Sequence, residues 1–204
     1  MKLVQLVGVL LGHVLLVVRS SGGEVVAIAD NDKNTSKPGS AGLFSFSFFG
    51  ILNAEDKMLQ ILSHAETIAK LKIAPDELMV ICITNDGTPL PEEISQLATE
   101  VLHLVFDDNE FEDEKGTAPQ QHHVEKALEF AQEREDLIVC CHAGISRSAA
   151  MAYVIECSRG VHPAMAVGIW NKKRHYPNRR IVHLGAVTLN DTNVDKYYTK
   201  WINS

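Results

Sequence analysis

The chain has 204 residues, 46% hydrophobic and 22% charged, a composition that suits one globular domain with an appendage. A formal net charge of −7 argues against the basic face that a nucleic-acid backbone requires. The four cysteines, Cys82, Cys140, Cys141 and Cys157, contain no Cys-x-x-Cys pair, so their spacing matches no zinc motif and suits a reducing compartment better than a disulfide framework.

In chain order, residues 3–18 (LVQLVGVLLGHVLLVV) form an apolar run behind Lys2. Two readings compete. The run is short for a membrane span of ~20 residues, yet it fits a signal peptide or anchor, with Ala27-Ile28-Ala29 as small residues for cleavage. The alternative is a buried strand pair, favoured by His13 inside the run and by Arg19 and Glu24 after it. The expected location is the cytoplasm, with export or anchoring as the alternative and membrane contact confined to residues 3–18. Residues 30–42 read as a linker rich in Gly, Ser, Asn and Asp. The Phe/Ser alternation of residues 43–49 has the period of a half-buried strand.

From Met58 the pattern becomes regular. Residues 58–62 read as a short strand, and Ser63-His64-Ala65-Glu66 is a capping-box signature for a helix to about Leu71. Residues 78–83 are an apolar strand, 92–100 a short helix and 101–106 another strand. An acidic loop, 107–119, precedes a helix that begins at Pro119 or Gln120. Its apolar face is Val124, Leu128 and Ala131, flanked by Ala127 and Phe130. On that helix His122 and His123 are expected to face solvent. Residues 137–140 are a strand, 148–158 a helix, and Pro163 opens a further helix towards His175, broken by Pro177. Residues 181–189 are the last expected helix. Alternating strands and helices predict an α/β fold: a central, mostly parallel sheet flanked by helices.

The chemistry concentrates in Cys141-His142-Ala143-Gly144-Ile145-Ser146-Arg147-Ser148. An apolar strand delivers Cys141 to the carboxyl edge of the sheet, where open α/β sheets place their sites. Ala143 and Gly144 are small enough for the backbone to curl round a ligand, so that its N–H groups form an anion cradle at a helix start. Arg147 can hold two oxyanion oxygens side by side. A helix N-terminus and a nearby cation lower a thiol pKa from ~8.5 by several units, so Cys141 is expected to be a thiolate nucleophile. Ser148 is placed to stabilise that thiolate as it leaves. His142 should point outward, and metal ligation by His122, His123 or His142 lacks the expected partners. Ester cleavage also needs a proton donor. Asp107 and Asp108, after the strand ending at Phe106, are the candidates, while Glu110, Glu112, Asp113 and Glu114 read as solvated charges.

The loop CHAGISRSAA resembles the signature loop of the protein-tyrosine and dual-specificity phosphatase superfamily. With LVFDDNE, HVEKALEFA and YPNRRIVHLGAVTL, the chain looks most similar to a compact bacterial tyrosine-phosphatase-like family, over about residues 58–190. The resemblance implies a cysteine-phosphatase domain at 58–190, an N-terminal extension at 1–57 and a tail at 191–204. It implies a phosphocysteine intermediate, Asp108 as acid then base, and no metal or organic cofactor. The substrate would be a phosphorylated protein or small phosphomonoester. It also implies that Asn178 and Arg179 support the loop or line its rim. One position departs from the pattern: the superfamily usually carries His before the nucleophile, and here Cys140 stands there. That difference leaves open a catalytically impaired phosphate-binding module, and oxidative pairing of Cys140 with Cys141. A sulfurtransferase or arsenate reductase is a further alternative, disfavoured by Ser148 and by the upstream Asp108.

Overall fold

The structure is a computed structural model, and it describes residues 3–10, 13–20, 23–29, 59–74, 78–111, 117–132, 134 and 136–204. The chain divides into two compact units, Met1–Asp56 and Lys57–Ser204.

In the first unit the apolar run does not form a helix. It makes strands β1 (Leu3–Leu10) and β2 (His13–Ser20), followed by β3 (Gly23–Ala29), in an antiparallel sheet of order β1-β2-β3. Arg19 pairs with both Leu3 and Glu24, so the charges that sat awkwardly in a signal peptide occupy strand positions. Among the described residues no helix is long and apolar enough to cross a membrane. The expected linker at 30–42 and strand at 43–49 lie outside the described residues.

The second unit has the expected α/β architecture. Strands β4 (Leu59–Ser63), β5 (Met79–Thr84), β6 (Glu100–Val105) and β7 (Leu137–Cys141) form a parallel sheet of order β4-β7-β5-β6. Strand alternation divides the core. Leu137, Val139 and Cys141 of β7 and Ile81 and Ile83 of β5 face one side; Ile138, Cys140, Val80 and Cys82 face the other. Every one of these nine residues is buried, as strands covered by helices on both faces require.

Helices α1 (His64–Leu71) and α2 (Glu92–Leu97) cover the Cys140 face. The expected capping box is present: Ser63 Oγ accepts from Glu66 N, and Glu66 Oε2 accepts from Ser63 N at 2.8 Å. The opposite face carries α3 (Gln121–Ala131), α4 (Arg147–Ser158) and α6 (Arg179–Leu189). Between α4 and α6 lies the single turn α5 (Pro163–Ala166). Helix α4 is buried on every side from Arg147 to Ile155, which makes it the central helix of the unit.

Three expectations are corrected here. The helix opened by Pro163 ends at Ala166, passes through a 3-10 turn at Val167–Ile169, and gives way to extended backbone at Trp170. Gly168 weakens the helix, and the Trp170 indole turns into the core, donating to Ala149 O at 2.9 Å and packing on Tyr153. The segment after residue 190 is not a tail in structure: α7 (Asn193–Ile202) adds Val194, Tyr197 and Tyr198 to the core. Finally, His123 does not face solvent. It is 8% exposed, packs on Phe106 with ring centroids 4.7 Å apart, and its Nδ1 accepts from Gln120 N at the start of α3. Burial, with His122 and Lys126 adding repulsion, pushes its pKa down to about 4.

Candidate active site

Three chain segments meet at the carboxyl edge of the sheet. The first is the loop from Cys141 to Arg147, between the end of β7 and the start of α4. Its sharp turn is made at Gly144, with φ +68°. A Cβ there would lie 2.5 Å from Ser63 N and 2.6 Å from Leu62 C, so the loop backbone packs directly against the end of β4. Cys141 is buried, and its Sγ lies 3.2 Å from Ser148 Oγ, within hydrogen-bond reach. His142, Ala143 and Ile145 are exposed and Ser146 half-buried.

The second segment follows β6. Arg147, 5% exposed, reaches across to donate from one terminal nitrogen to Phe106 O at 2.7 Å. That bond holds the guanidinium in one orientation. Its Nε is buried without a protein partner, a condition that only His175 Nε2 shares among the described residues. Buried donors are rarely left unpaired, so the orphaned Nε is an opening for an anionic ligand.

The two candidate aspartates separate clearly. Asp107 Oδ2 accepts from Thr117 N at 2.8 Å, closing its own loop. Asp108 Oδ1 instead accepts from Ser146 Oγ and from Asn178 Nδ2, both at 2.8 Å. Asp108 is thus tied to the cysteine loop, and Asp107 is not. Glu110 is exposed, but its Oε1 accepts from Arg179 N at the start of α6, a favourable place for a carboxylate. Glu112, Asp113 and Glu114 lie outside the described residues.

The third segment precedes and opens α6. Asn178 is 1% exposed and its Oδ1 caps the helix by accepting from Ile181 N, while its Nδ2 holds Asp108. Tyr176 N donates to Ile145 O at 3.0 Å, so this segment also supports the cysteine loop. Three basic residues in and around this segment have protein partners. Arg174 pairs with Glu66, which with the Ser63 bonds holds that carboxyl down to about 2. Lys172 Nζ donates to Ser204 Oγ at 2.6 Å, and Arg180 Nε donates to Pro119 O at 2.7 Å.

Cys140 and Cys141 project to opposite faces of the sheet, which removes the geometric basis for pairing them. Cys140 instead lies beside Cys82, its register partner on β5. The hydrogen bond that Cys140 gives Cys82, helped by His64, holds the Cys82 thiol down to about 6. The same bond and burial push Cys140 up. Strand pairing creates this adjacency, and no local spacing in the sequence signals it.

Neither a protein-family model nor a curated protein matches this chain. Solved structures do. Human DUSP28 is similar at 17% identity and a TM-score of 0.50, over 72% of this chain and 98% of its own. A human tyrosine phosphatase-like serine/threonine/tyrosine-interacting protein is 22% identical with a TM-score of 0.45, over 63% of this chain and 85% of its own. Tk-PTP in its active form is 17% identical with a TM-score of 0.45, covering 67% and 88%. At such identities the likeness shows the fold alone. That fold is of the protein-tyrosine and dual-specificity phosphatase type, with no bacterial branch singled out.

Proposed function

We propose that this protein is a phosphomonoester hydrolase of the tyrosine or dual-specificity phosphatase type, acting through a phosphocysteine intermediate. The observation that carries the reading is Arg147: a buried guanidinium, fixed by Phe106 O, with an unpartnered Nε in the loop that also presents Cys141. In this reading the loop N–H groups and Arg147 bind the phosphoryl oxygens and their transition-state charge. Cys141 Sγ attacks phosphorus and the ester oxygen leaves, taking a proton from Asp108. Asp108 then accepts a proton from water as that water displaces the thiolate, which Ser148 Oγ stabilises at 3.2 Å. The Ser146 and Asn178 donors hold Asp108 over the loop before substrate arrives. No step calls for a metal or organic cofactor. The substrate is a phosphorylated protein or a small phosphomonoester.

The test is phosphate release from an aryl phosphate by the wild type, Cys141→Ser and Asp108→Ala. The expected result is release by the wild type, none by Cys141→Ser, and a phosphorylated Cys141 trapped in Asp108→Ala. Release by Cys141→Ser would overturn the mechanism. A wild type that binds vanadate or a phosphopeptide without turnover would make the protein a phosphate-binding module instead.

A further inference from the structure

On the face of the sheet opposite the Cys141 side chain, three soft donors converge. Cys82 and Cys140 are register partners on β5 and β7, both fully buried, with side chains on the same face. His64, the first residue of α1, brings Nε2 to 3.5 Å from Cys82 Sγ. The three donor atoms all lie within 4.8 Å of one another. Metal–sulfur bonds of ~2.3 Å and metal–nitrogen bonds of ~2.0 Å at tetrahedral angles put donors ~3.5–3.8 Å apart, so a small contraction closes the set. Two of the donors sit on hydrogen-bonded neighbouring strands and the third on a capped helix start, so the geometry is held by backbone rather than by loops.

We infer that His64, Cys82 and Cys140 form a binding site for a thiophilic divalent cation of the zinc type. Thiolate and imidazole ligands select such ions over oxygen-seeking Mg²⁺ or Ca²⁺. Charge points the same way: two thiolates cancel a divalent ion, so a neutral complex enters the core, where an uncompensated charge would be costly. As the two metal–sulfur bonds form, each thiol still protonated gives its proton to solvent. His64 Nε2 also lies 3.1 Å from Ile83 O, so binding shifts the ring proton to Nδ1 and turns the Nε2 lone pair to the ion. His64 is only half-buried, which leaves a route for the ion and a fourth position for solvent. The ion would pin β5, β7 and α1 together through Cys140, the residue that precedes Cys141.

The test uses the full chain, with Zn²⁺ and Cd²⁺ as probes. Wild type and Cys141→Ser are each expected to take up a single ion per chain. Cd²⁺ should give the near-ultraviolet thiolate-to-metal band, and zinc-edge X-ray absorption should show two sulfurs and an imidazole nitrogen. Cys82→Ser, Cys140→Ser and His64→Gln should each weaken uptake more than about tenfold, and Cys157→Ser should leave it unchanged. X-ray absorption on Cys141→Ser needs none of the ligand variants to fold. Absence of uptake, a shell with fewer than two sulfurs, uptake that survives both cysteine-ligand substitutions, or uptake lost in Cys141→Ser would each overturn the assignment.

Discussion

Ser146 Oγ donates a 2.8 Å hydrogen bond to Asp108 Oδ1, joining the cysteine loop to the loop that follows β6. The same carboxylate oxygen accepts from Asn178 Nδ2, so a third segment shares the junction. The proposed acid is therefore positioned by two neutral donors from different elements. Replacing Asp108 by Ala is expected to slow hydrolysis of an alkyl phosphate by ~10²–10⁴-fold. An aryl phosphate, whose leaving oxygen needs less protonation, should lose less. Steady-state rates across leaving groups check this; equal losses for all of them would show that Asp108 only holds the loop. Asn178→Ala should reproduce part of the loss and also destabilise α6, by about 1 kcal/mol for its lost cap.

Gly144→Ala should damage the loop more than any neighbouring small-residue change. A side chain at φ +68° costs about 1–2 kcal/mol, and its Cβ would press on Ser63 N and Leu62 C, backbone atoms with little freedom to move. The expectation is a lowered melting temperature with loss of turnover and of vanadate binding. Ala143→Ser, at an exposed position, is the comparison and should keep its stability.

Tyr153 ties α4 to α7 by donating from Oη to Val194 O at 3.0 Å. Tyr153→Phe removes that bond from the core. A loss of about 1–2 kcal/mol in urea unfolding is expected, with turnover little changed. An unchanged midpoint would mean that this hydrogen bond adds nothing to the docking of α7.

His123 gives a pH signature. Its folded-state pKa, about 4, lies below the ordinary 6.5, so between these values the unfolded chain binds the extra proton. Its contribution to stability is complete above pH 6.5, falls as pH drops towards 4, and levels off below. Urea midpoints of wild type and His123→Gln across that window isolate the effect, because other groups titrate in both. Parallel curves would show that His123 is not buried in its neutral form.

The sequence by itself determined the features that depend on a few neighbouring residues. The Ser63–Glu66 capping box, the strand–loop–helix step at Cys141 and the helix start at Pro163 are local backbone effects, and the structure reproduces them. The alternation of strands and helices likewise foretold a parallel sheet, with element ends within three residues except for the helix begun at Pro163. Helix α7 was legible too, since Val194, Tyr197, Tyr198 and Trp201 have helical spacing, but its Asn- and Asp-rich start concealed it. What only the tertiary structure decided involves partners far apart in the chain. The distinction between Asp107 and Asp108 depends on Ser146 and Asn178, some 38 and 70 residues away. The burial of His123 depends on Phe106, and the turn of the chain at Trp170 on the space beside Tyr153. Cys82 and Cys140 become neighbours only because β5 and β7 pair in one register, and Cys140 parts from Cys141 only because side chains alternate across a strand. Local sterics set the elements; register and burial set which side chains meet, and the chemistry follows from those meetings.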